Sequence, residues 1–139
     1  MPDVVTTAQD MIAGMSPELR AGRFVFASVT DTAQAAELAS HAISVFREDE
    51  GVSLLLPLET TEQAGLPVDL VMQCITLNVY SSLEGTGLTA AVSTALAEQG
   101  IPCNMVAAFH HDHVFVPEDQ SDAALDVLRA LQSSAAPDT

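Results

Sequence analysis

The sequence predicts an α+β protein in which two βαββα units, with antiparallel sheets, form an α/β sandwich. Three observations lead to this expectation. Short apolar runs with a period of two, bounded by Gly, Pro, Asn or Asp, are typical of strands. Other segments repeat apolar residues at i, i+3, i+4 and i+7, as amphipathic helices do. The order strand, crossover, hairpin, helix then occurs twice, in residues 23–65 and in residues 73–132.

The first half begins with a short helix that Thr6 or Thr7 can cap and that places Met11 and Ile12 on one face. Ser16-Pro17 predicts a second helical turn, because proline suits the first helical position. Residues 23–29 read as a strand, while residues 30–40 leave a short helix and a loop both open. Residues 42–47 and 52–56 predict a hairpin around an acidic turn, and residues 60–64 a short helix.

Gly65-Leu66-Pro67 is the predicted boundary, which gives an N-terminal half of residues 1–67 with the leading helix and a C-terminal domain of residues 68–139. In the second half we expect a strand at 73–80, a helix at 86–99 ended by Gly100, strands at 103–109 and 113–116, and a last helix. Each unit is one strand short of the ferredoxin-like split βαβ motif. Two incomplete units could complete each other's sheets.

Composition excludes several classes of function. The chain has 139 residues, with 4 Lys+Arg against 19 Asp+Glu and a formal net charge of −15. Such a surface repels nucleic acid and anionic membranes, so we expect neither as a partner. All four basic residues are arginines, and the absence of lysine excludes a P-loop and Schiff-base chemistry. No signal peptide or long apolar run is apparent and the two cysteines lack CxxC spacing, which predicts a cytoplasmic protein.

A glycine-containing loop leads into the helix at 86–99. Its residues, Gly85 to Ala90, fit G-x-G-x-x-A between a strand and a helix, the pattern of a dinucleotide-binding turn. Four residues separate the strand from Gly85, where a dinucleotide turn would be tight, and the next strand enters a hairpin instead of another crossover. We therefore expect no nucleotide cofactor. The favoured interpretation is a loop that exposes backbone N–H groups at a helix start.

The turn His110-His111-Asp112-His113 invites a metal-site interpretation, with Cys103 upstream. Adjacent residues of an extended chain point to opposite sides, so His110 and His111 would not easily converge on one ion. A structural hairpin is the favoured interpretation, and ligand contact and metal binding stay open as alternatives. Ser81-Ser82 lacks the G-x-S-x-G elbow of a hydrolase. We therefore predict no catalytic residues, no metal and no cofactor.

The second half carries a family resemblance in the segment ITLNVYSSLEGTGLTAAVSTALAEQGIPCNMVAAFHHDHVFVP. Its SSL, GLTAA, CN and HDH motifs, with this spacing, resemble the ACT-like domain of a family of small bacterial proteins without assigned activity. That family is distantly similar to the ACT domains of animal cytosolic arginine sensors. The upstream segment FREDEGVSLLLP resembles the same family, so the resemblance covers residues 20–132 and implies two ferredoxin-like (ACT-like) units.

ACT domains bind amino acids or similar small ligands, usually at an interface between two such modules. The resemblance implies a ligand near the loop after the first strand, the start of the following helix and the start of the next strand. In this sequence the corresponding residues are Ser82, Leu83, Glu84, Gly85, Thr86, Gly87, Leu88 and Asn104. Backbone N–H groups there could hold a ligand carboxylate, while acidic side chains hold its ammonium group. The first half has no comparable glycine loop after Val29, so it is expected as a structural partner.

The resulting prediction is a non-enzymatic sensor or regulatory module of ACT type that binds a small molecule, an amino acid being the expected ligand. The resemblance also implies a homodimer, because ACT-like sheets pair edge to edge or face to face. Two alternatives remain. One is a structural or protein-interaction module without a ligand, and the other is a metal-dependent enzyme that uses the turn at His110, His111 and His113.

Overall fold

A computed structural model describes residues 7–79 and 86–135. The helices are α1 (Ala8–Gly14), α2 (Thr32–Ala39), α3 (Leu58–Gln63), α4 (Leu88–Glu98) and α5 (Ser121–Ala135), the last preceded by a 3₁₀ turn at Glu118–Gln120. The strands are β1 (Glu18–Leu19), β2 (Phe24–Val29), β3 (Ser44–Glu48), β4 (Gly51–Pro57), β5 (Met72–Thr76), β6 (Asn104–Ala107) and β7 (Asp112–Pro117). Repeated strand–helix–hairpin–helix order confirms the predicted α+β, ferredoxin-like class.

The chain divides into two compact units. The larger unit contains Met1–Ala21 and Gln73–Thr139, and the smaller unit contains Gly22–Met72. The leading helix α1 thus belongs with the C-terminal residues, whereas the boundary drawn from the sequence placed it in residues 1–67. The reason is burial: Met11 and Met15 are 1% and 2% exposed and lie in the apolar core of the larger unit with Ile75 and Leu128.

The sheet of the larger unit has the order β1-β5-β7-β6. Strand β1 occupies the segment after Ser16-Pro17, where the sequence predicted a helical turn, so that prediction was wrong. The Ser16 N–H donates to the Leu77 carbonyl at 2.7 Å and the Arg20 N–H donates to the Cys74 carbonyl at 2.8 Å. These bonds satisfy one edge of β5, and β1 supplies the fourth strand that the sequence left unassigned.

The core of the larger unit lies between one face of this sheet and helices α1, α4 and α5. Helix α4 contributes Leu88, Val92 and Leu96, each at most 4% exposed, as its apolar stripe predicted. Gly100, at φ +71°, follows the helix as expected. Ile75, Leu77 and Val79 are buried as predicted, but Cys74 and Thr76 are also buried. The strand ends at Thr76, short of the predicted residue 80, and Asn78 leaves the extended conformation with φ +53°. Tyr80 itself lies outside the described residues.

The smaller unit contains an antiparallel sheet in the order β3-β4-β2, and Phe24 pairs with Met72. Its own core consists of Val29, Ala35, Leu38, Leu54 and Leu56. The undecided segment at residues 30–40 is the helix α2, with Asp31 as its N-cap. Its hairpin spans Ser44–Glu48 and Gly51–Pro57, close to the predicted limits.

No helix in the described part of the chain is both long enough and apolar enough to cross a membrane.

Candidate functional site

The start of helix α4 is built around Gly87. This residue is the N-cap in a left-handed conformation, with φ +101°, and as a glycine it has no side chain to cap the helix. The Ala91 N–H donates to the Gly87 carbonyl at 2.9 Å, the first bond of the helix. The backbone N–H groups of the first turn therefore point out of the helix start without a side-chain acceptor from the N-cap. This geometry suits an anionic group of a ligand.

Packing against helix α1 fixes the same residue. A Cβ atom placed on Gly87 would lie 2.6 Å from the Cβ of Ala8. That distance is far below van der Waals contact, so α1 and the start of α4 approach closely only because position 87 lacks a side chain. Conformation and space thus both require glycine at this position.

The predicted site residues differ in whether the structure describes them and in how exposed they are. Ser82, Leu83, Glu84 and Gly85 lie outside the described residues. Thr86 and Gly87 are exposed, whereas the Leu88 side chain is 4% exposed and packs in the core. Only the backbone of Leu88 is thus available at the helix start.

Asn104 lies elsewhere along the sheet. It is the first residue of β6 and pairs with Phe115 of β7. The end of β5 lies instead beside the start of β7, where the Leu77 N–H donates to the Asp112 carbonyl at 3.1 Å. Because β7 runs antiparallel to β6, Asn104 is three residues away from the sheet end where β5 finishes, a separation of roughly 10 Å. The described residues do not bring Asn104 and the α4 start to the same sheet end, and its site role stays a prediction.

The histidine turn does lie at that sheet end. The Ala108 N–H donates to the His111 carbonyl at 3.0 Å and closes the turn. Nδ1 of His111 lies 3.5 Å from the carbonyl oxygen of Val79, the last described residue before residues 80–85. His111 therefore borders the segment that connects β5 to α4, and it belongs among the candidate ligand contacts. The sequence indicated a hairpin turn at His111 but not how that turn is aligned with the end of β5.

Phe109 and His110 form the exposed part of the same turn. The Phe109 ring is 78% exposed, and its centroid lies 5.1 Å from that of His110 in an edge-to-face arrangement. Such a pair presents an aromatic edge beside a ring with nitrogen donors and acceptors.

On the other face of β5, a polar network connects β5 with β7. The Thr76 hydroxyl and Nδ1 of His113 are 3.0 Å apart, and Sγ of Cys74 lies 4.0 Å from the same hydroxyl. Burial lowers the pKa of the His113 imidazole, helped by the positive charges of His111 and Arg20 and opposed by Asp112. The neutral imidazole is thus favoured.

The two thiols of the chain are unpaired. Burial raises the pKa of the Cys74 thiol, and the hydrogen bond with Thr76 and the charge of Arg20 offset this effect in part. Burial also raises the pKa of the Cys103 thiol. Both thiols are held in the protonated form, which is a poor nucleophile and a poor metal ligand.

A second polar group holds strand β1 in place. The Asn78 side-chain amide donates to the Ser16 carbonyl and to Glu18 Oε1, both at 3.0 Å, and Arg20 forms an ion pair with the same oxygen at 3.1 Å. Asn78 has φ +53°, an uncommon conformation for a residue other than glycine. These contacts fix the start of β1 against the residues that follow β5.

Within residues 7–79 and 86–135, no three His, Cys, Asp or Glu side chains are grouped as metal ligands. The three histidines at positions 110, 111 and 113 therefore do not form such a group among the residues described. His113 instead uses Nδ1 for its contact with Thr76.

Comparison with known proteins gives two family matches and several related structures. Two family models, both described as ACT domain, match residues 5–73 and 70–130. A solved protein of unknown function from Vibrio cholerae, described as a possible transport protein, is 40% identical over 89% of this chain and 94% of its own, with a TM-score of 0.79. No curated protein matches.

More distant structures share the fold. A protein from Agrobacterium tumefaciens is 21% identical, with 85% of this chain and 89% of the other covered and a TM-score of 0.66. The ligand-free regulatory subunit of aspartate kinase from Thermus thermophilus is 14% identical, with 83% and 95% covered and a TM-score of 0.53. At these identities the likeness concerns the fold.

Proposed function

Because the chain belongs to the family of small ACT-domain proteins, we propose that it is a non-enzymatic regulatory module whose ligand is an amino acid. ACT domains are regulatory rather than catalytic, and they typically bind small molecules. The shared fold with a regulatory subunit of aspartate kinase supports a regulatory role in general. The amino acid is the more specific part of the proposal.

The observation that carries the proposal is the start of helix α4, where the N-cap residue Gly87 provides no side-chain acceptor. A ligand carboxylate placed there accepts hydrogen bonds from backbone N–H groups and interacts favourably with the positive end of the helix. This arrangement needs no lysine or arginine, which agrees with a chain that has only four basic residues. The proposed site consists of residues 82–88, with Asn104 retained from the resemblance and His111 added from its contact with Val79.

A pair of variants at Thr89 tests this placement of the carboxylate. Thr89 is exposed in the first turn of α4, so Thr89→Glu adds a carboxylate where the ligand's own would lie. The added charge stabilises the helix by about 0.3–1 kcal/mol and competes with the ligand. Thr89→Gln has nearly the same shape without the charge and is the matched control.

We expect amino-acid affinity, measured by isothermal titration calorimetry, to fall at least tenfold in Thr89→Glu and to stay within about threefold in Thr89→Gln, since a charge-assisted hydrogen bond contributes about 1.5–3 kcal/mol. Equal affinities in the two variants would place the carboxylate away from the helix start. The affinity of the unmodified chain serves as the reference.

The protein-interaction alternative is favoured by one observation. Three apolar side chains in or beside β3 of the smaller unit are exposed: Ile43 just before the strand (53%), Val45 on the same face (43%) and Phe46 on the opposite face (70%). A module without a ligand would use these side chains and leave the α4 start empty. The metal-enzyme alternative predicts stoichiometric metal in the purified protein, lost in His111→Ala or His113→Ala.

We also propose a cytoplasmic homodimer that binds neither nucleic acid nor membranes. The unpaired thiols of Cys74 and Cys103 support a reducing compartment. The net charge of −15 opposes contact with phosphate-rich partners. The exposed apolar side chains of Val45 and Phe46 on β3 support pairing with a second copy.

A further inference from the structure

Helices α2 and α3 of the smaller unit border a groove of about 230 Å³. One wall contains Gln34 and Glu37 of helix α2 and His41, which lies two residues after the end of the helix. Their spacing of three and four residues places these side chains on one face. Helix α3 contributes Thr60 and Gln63, again three residues apart. The groove is smaller than the roughly 300–1,000 Å³ of pockets for drug-sized ligands, so it suits a small metabolite.

The floor of the groove is apolar. Leu38, which is 6% exposed, and Ala64 also line it, and both belong to or pack against the core of the smaller unit. An aliphatic part of a ligand can therefore lie on this floor. The polar side chains of the groove, Gln34, Glu37, His41, Thr60 and Gln63, form its two walls.

The side chains of the walls have unused hydrogen-bonding capacity. Within the described residues, the side chains of Gln34, Glu37, His41, Thr60 and Gln63 make no hydrogen bond or ion pair. Neighbouring polar groups are otherwise engaged: Asp31 caps α2, and the Thr61 hydroxyl donates to the Pro57 carbonyl. The groove therefore gathers donors and acceptors that the fold itself does not use.

The charge of the groove selects the chemistry of its ligand. Glu37 carries a formal negative charge, and neither lysine nor arginine lines the walls. The side-chain oxygens of Gln34, Gln63 and Thr60 add acceptors for N–H groups. We propose that this groove is a second small-molecule site, distinct from the α4 start, and that its ligand is a compact aliphatic amine.

In this site the ammonium group donates to the Glu37 carboxylate and to the glutamine oxygens, while the methylene groups contact Leu38 and Ala64. The smaller unit then has a binding role of its own, in place of the purely structural one expected from the absence of a glycine loop after Val29. The proposal does not depend on the amino-acid site, because the groove is lined by residues of the smaller unit alone.

The test uses the full chain and two probes with the same four-carbon skeleton, 1,4-diaminobutane and succinate. Binding is followed by amide chemical shifts in ¹H–¹⁵N NMR at physiological salt, which screens non-specific attraction to the acidic surface. Two variants are compared. Glu37→Gln removes the charge of the groove, and Glu62→Gln removes an exposed charge of α3 that does not line it, so both change the net charge equally.

We expect the diamine to give saturable shift changes confined to residues 34–41 and 60–64, and succinate to give none. Affinity for the diamine should fall at least tenfold in Glu37→Gln and stay within twofold in Glu62→Gln. Equal loss in both variants, shifts spread over the acidic surface, or stronger binding of succinate would overturn the proposal. In Thr89→Glu, diamine binding should be unchanged, which separates this site from the amino-acid site.

Discussion

Two separate constraints, the backbone conformation and the space available for a side chain, require glycine at position 87. Its φ of +101° disfavours any residue with a side chain, and an added Cβ would lie 2.6 Å from Ala8 Cβ. Left-handed strain costs about 1–2 kcal/mol and the clash about 1–3 kcal/mol more. We therefore expect Gly87→Ala to lower the free energy of unfolding by about 2–5 kcal/mol, measured by urea denaturation.

Gly100→Ala is the control for the conformational part. Gly100 has a similar φ of +71°, but nothing lies within 4 Å of its added Cβ, so we expect a loss of only about 1 kcal/mol. In addition, Ala8→Gly should restore part of the stability lost in Gly87→Ala. Equal losses at positions 87 and 100 would contradict the close packing of α1 against α4.

His113 gives the larger unit a pH-dependent stability. Burial, with the charges of His111 and Arg20, lowers its pKa in the folded state, and Asp112 opposes this shift. The unfolded chain therefore binds the proton more tightly than the folded chain does. This stability is fully present above the unfolded-state pKa of about 6.5 and is lost as pH falls through the lower, folded-state pKa.

We expect His113→Asn to flatten the decline in unfolding free energy between neutral and mildly acidic pH. His41→Asn, at an exposed position after α2, serves as the control and should leave the decline as it is in the unmodified chain. The measurement is urea unfolding at several pH values. If the unfolding free energy of His113→Asn declines with falling pH as it does in the unmodified chain, groups other than His113 cause the decline.

Among the elements, helix α2 illustrates where local sequence signals were insufficient. Residues 30–40 are rich in alanine and weakly periodic, so helix and loop could not be distinguished. The structure resolves the choice through Asp31, whose carboxylate accepts from the Gln34 N–H at 2.8 Å, and through burial of Ala35 and Leu38 in the core. Tertiary packing of two apolar side chains, with a cap, completes the helix.

This cap gives a prediction of its own. Asp31→Ala removes the acceptor for the Gln34 N–H, and we expect it to reduce the free energy of unfolding by about 0.5–2 kcal/mol. Asp31→Asn keeps an acceptor and should cost only a few tenths of a kcal/mol. Thermal unfolding of the two variants distinguishes them, and identical behaviour would mean that the cap contributes nothing measurable.

Strand β1 marks the limit of sequence reasoning at this scale. Two residues, Glu18 and Leu19, are too few for a period-two pattern, and Pro17 favours a helical start. What makes the segment a strand is the edge of β5, more than fifty residues later in the chain, which offers the carbonyls of Leu77 and Cys74. No local window contains that information.

Only the part of the candidate site that depends on local sequence was predictable. The glycine at the helix start follows from the pattern around Gly87, and the structure places it at the N-cap, where it provides no side-chain acceptor. The proximity of His111 to Val79 depends on how β5 and β7 are aligned, which the sequence does not specify. The same alignment sets Asn104 away from that sheet end.

At the scale of the whole molecule, the two family-model matches and the two compact units divide the chain at different places. The family models meet at residues 70–73, whereas the compact units assign α1 and β1 to the C-terminal residues. The leading segment thus supplies a strand and a helix to the larger unit. Met72, the first residue of β5, pairs with Phe24 in the smaller unit.

Association of two copies can be tested on β3. In the described part of the chain β4 is the one strand that pairs with β3, and Phe46 on β3 is 70% exposed. We expect Phe46→Lys to shift a homodimer toward monomer in light scattering coupled to size-exclusion chromatography, because a buried charge opposes the contact. Phe109→Lys, at a 78% exposed residue of the larger unit, is the control and should leave the dimer intact.

The central claim, that the chain is an amino-acid-binding regulatory module, is tested most directly by thermal unfolding in the presence of each of the twenty amino acids. A ligand at 100 times its Kd stabilises the folded state by about 2.7 kcal/mol, which raises Tm by several degrees. We expect at least one amino acid to raise Tm in a saturable manner, and Thr89→Glu to abolish the rise. An unchanged Tm with all twenty at millimolar concentration would contradict the claim.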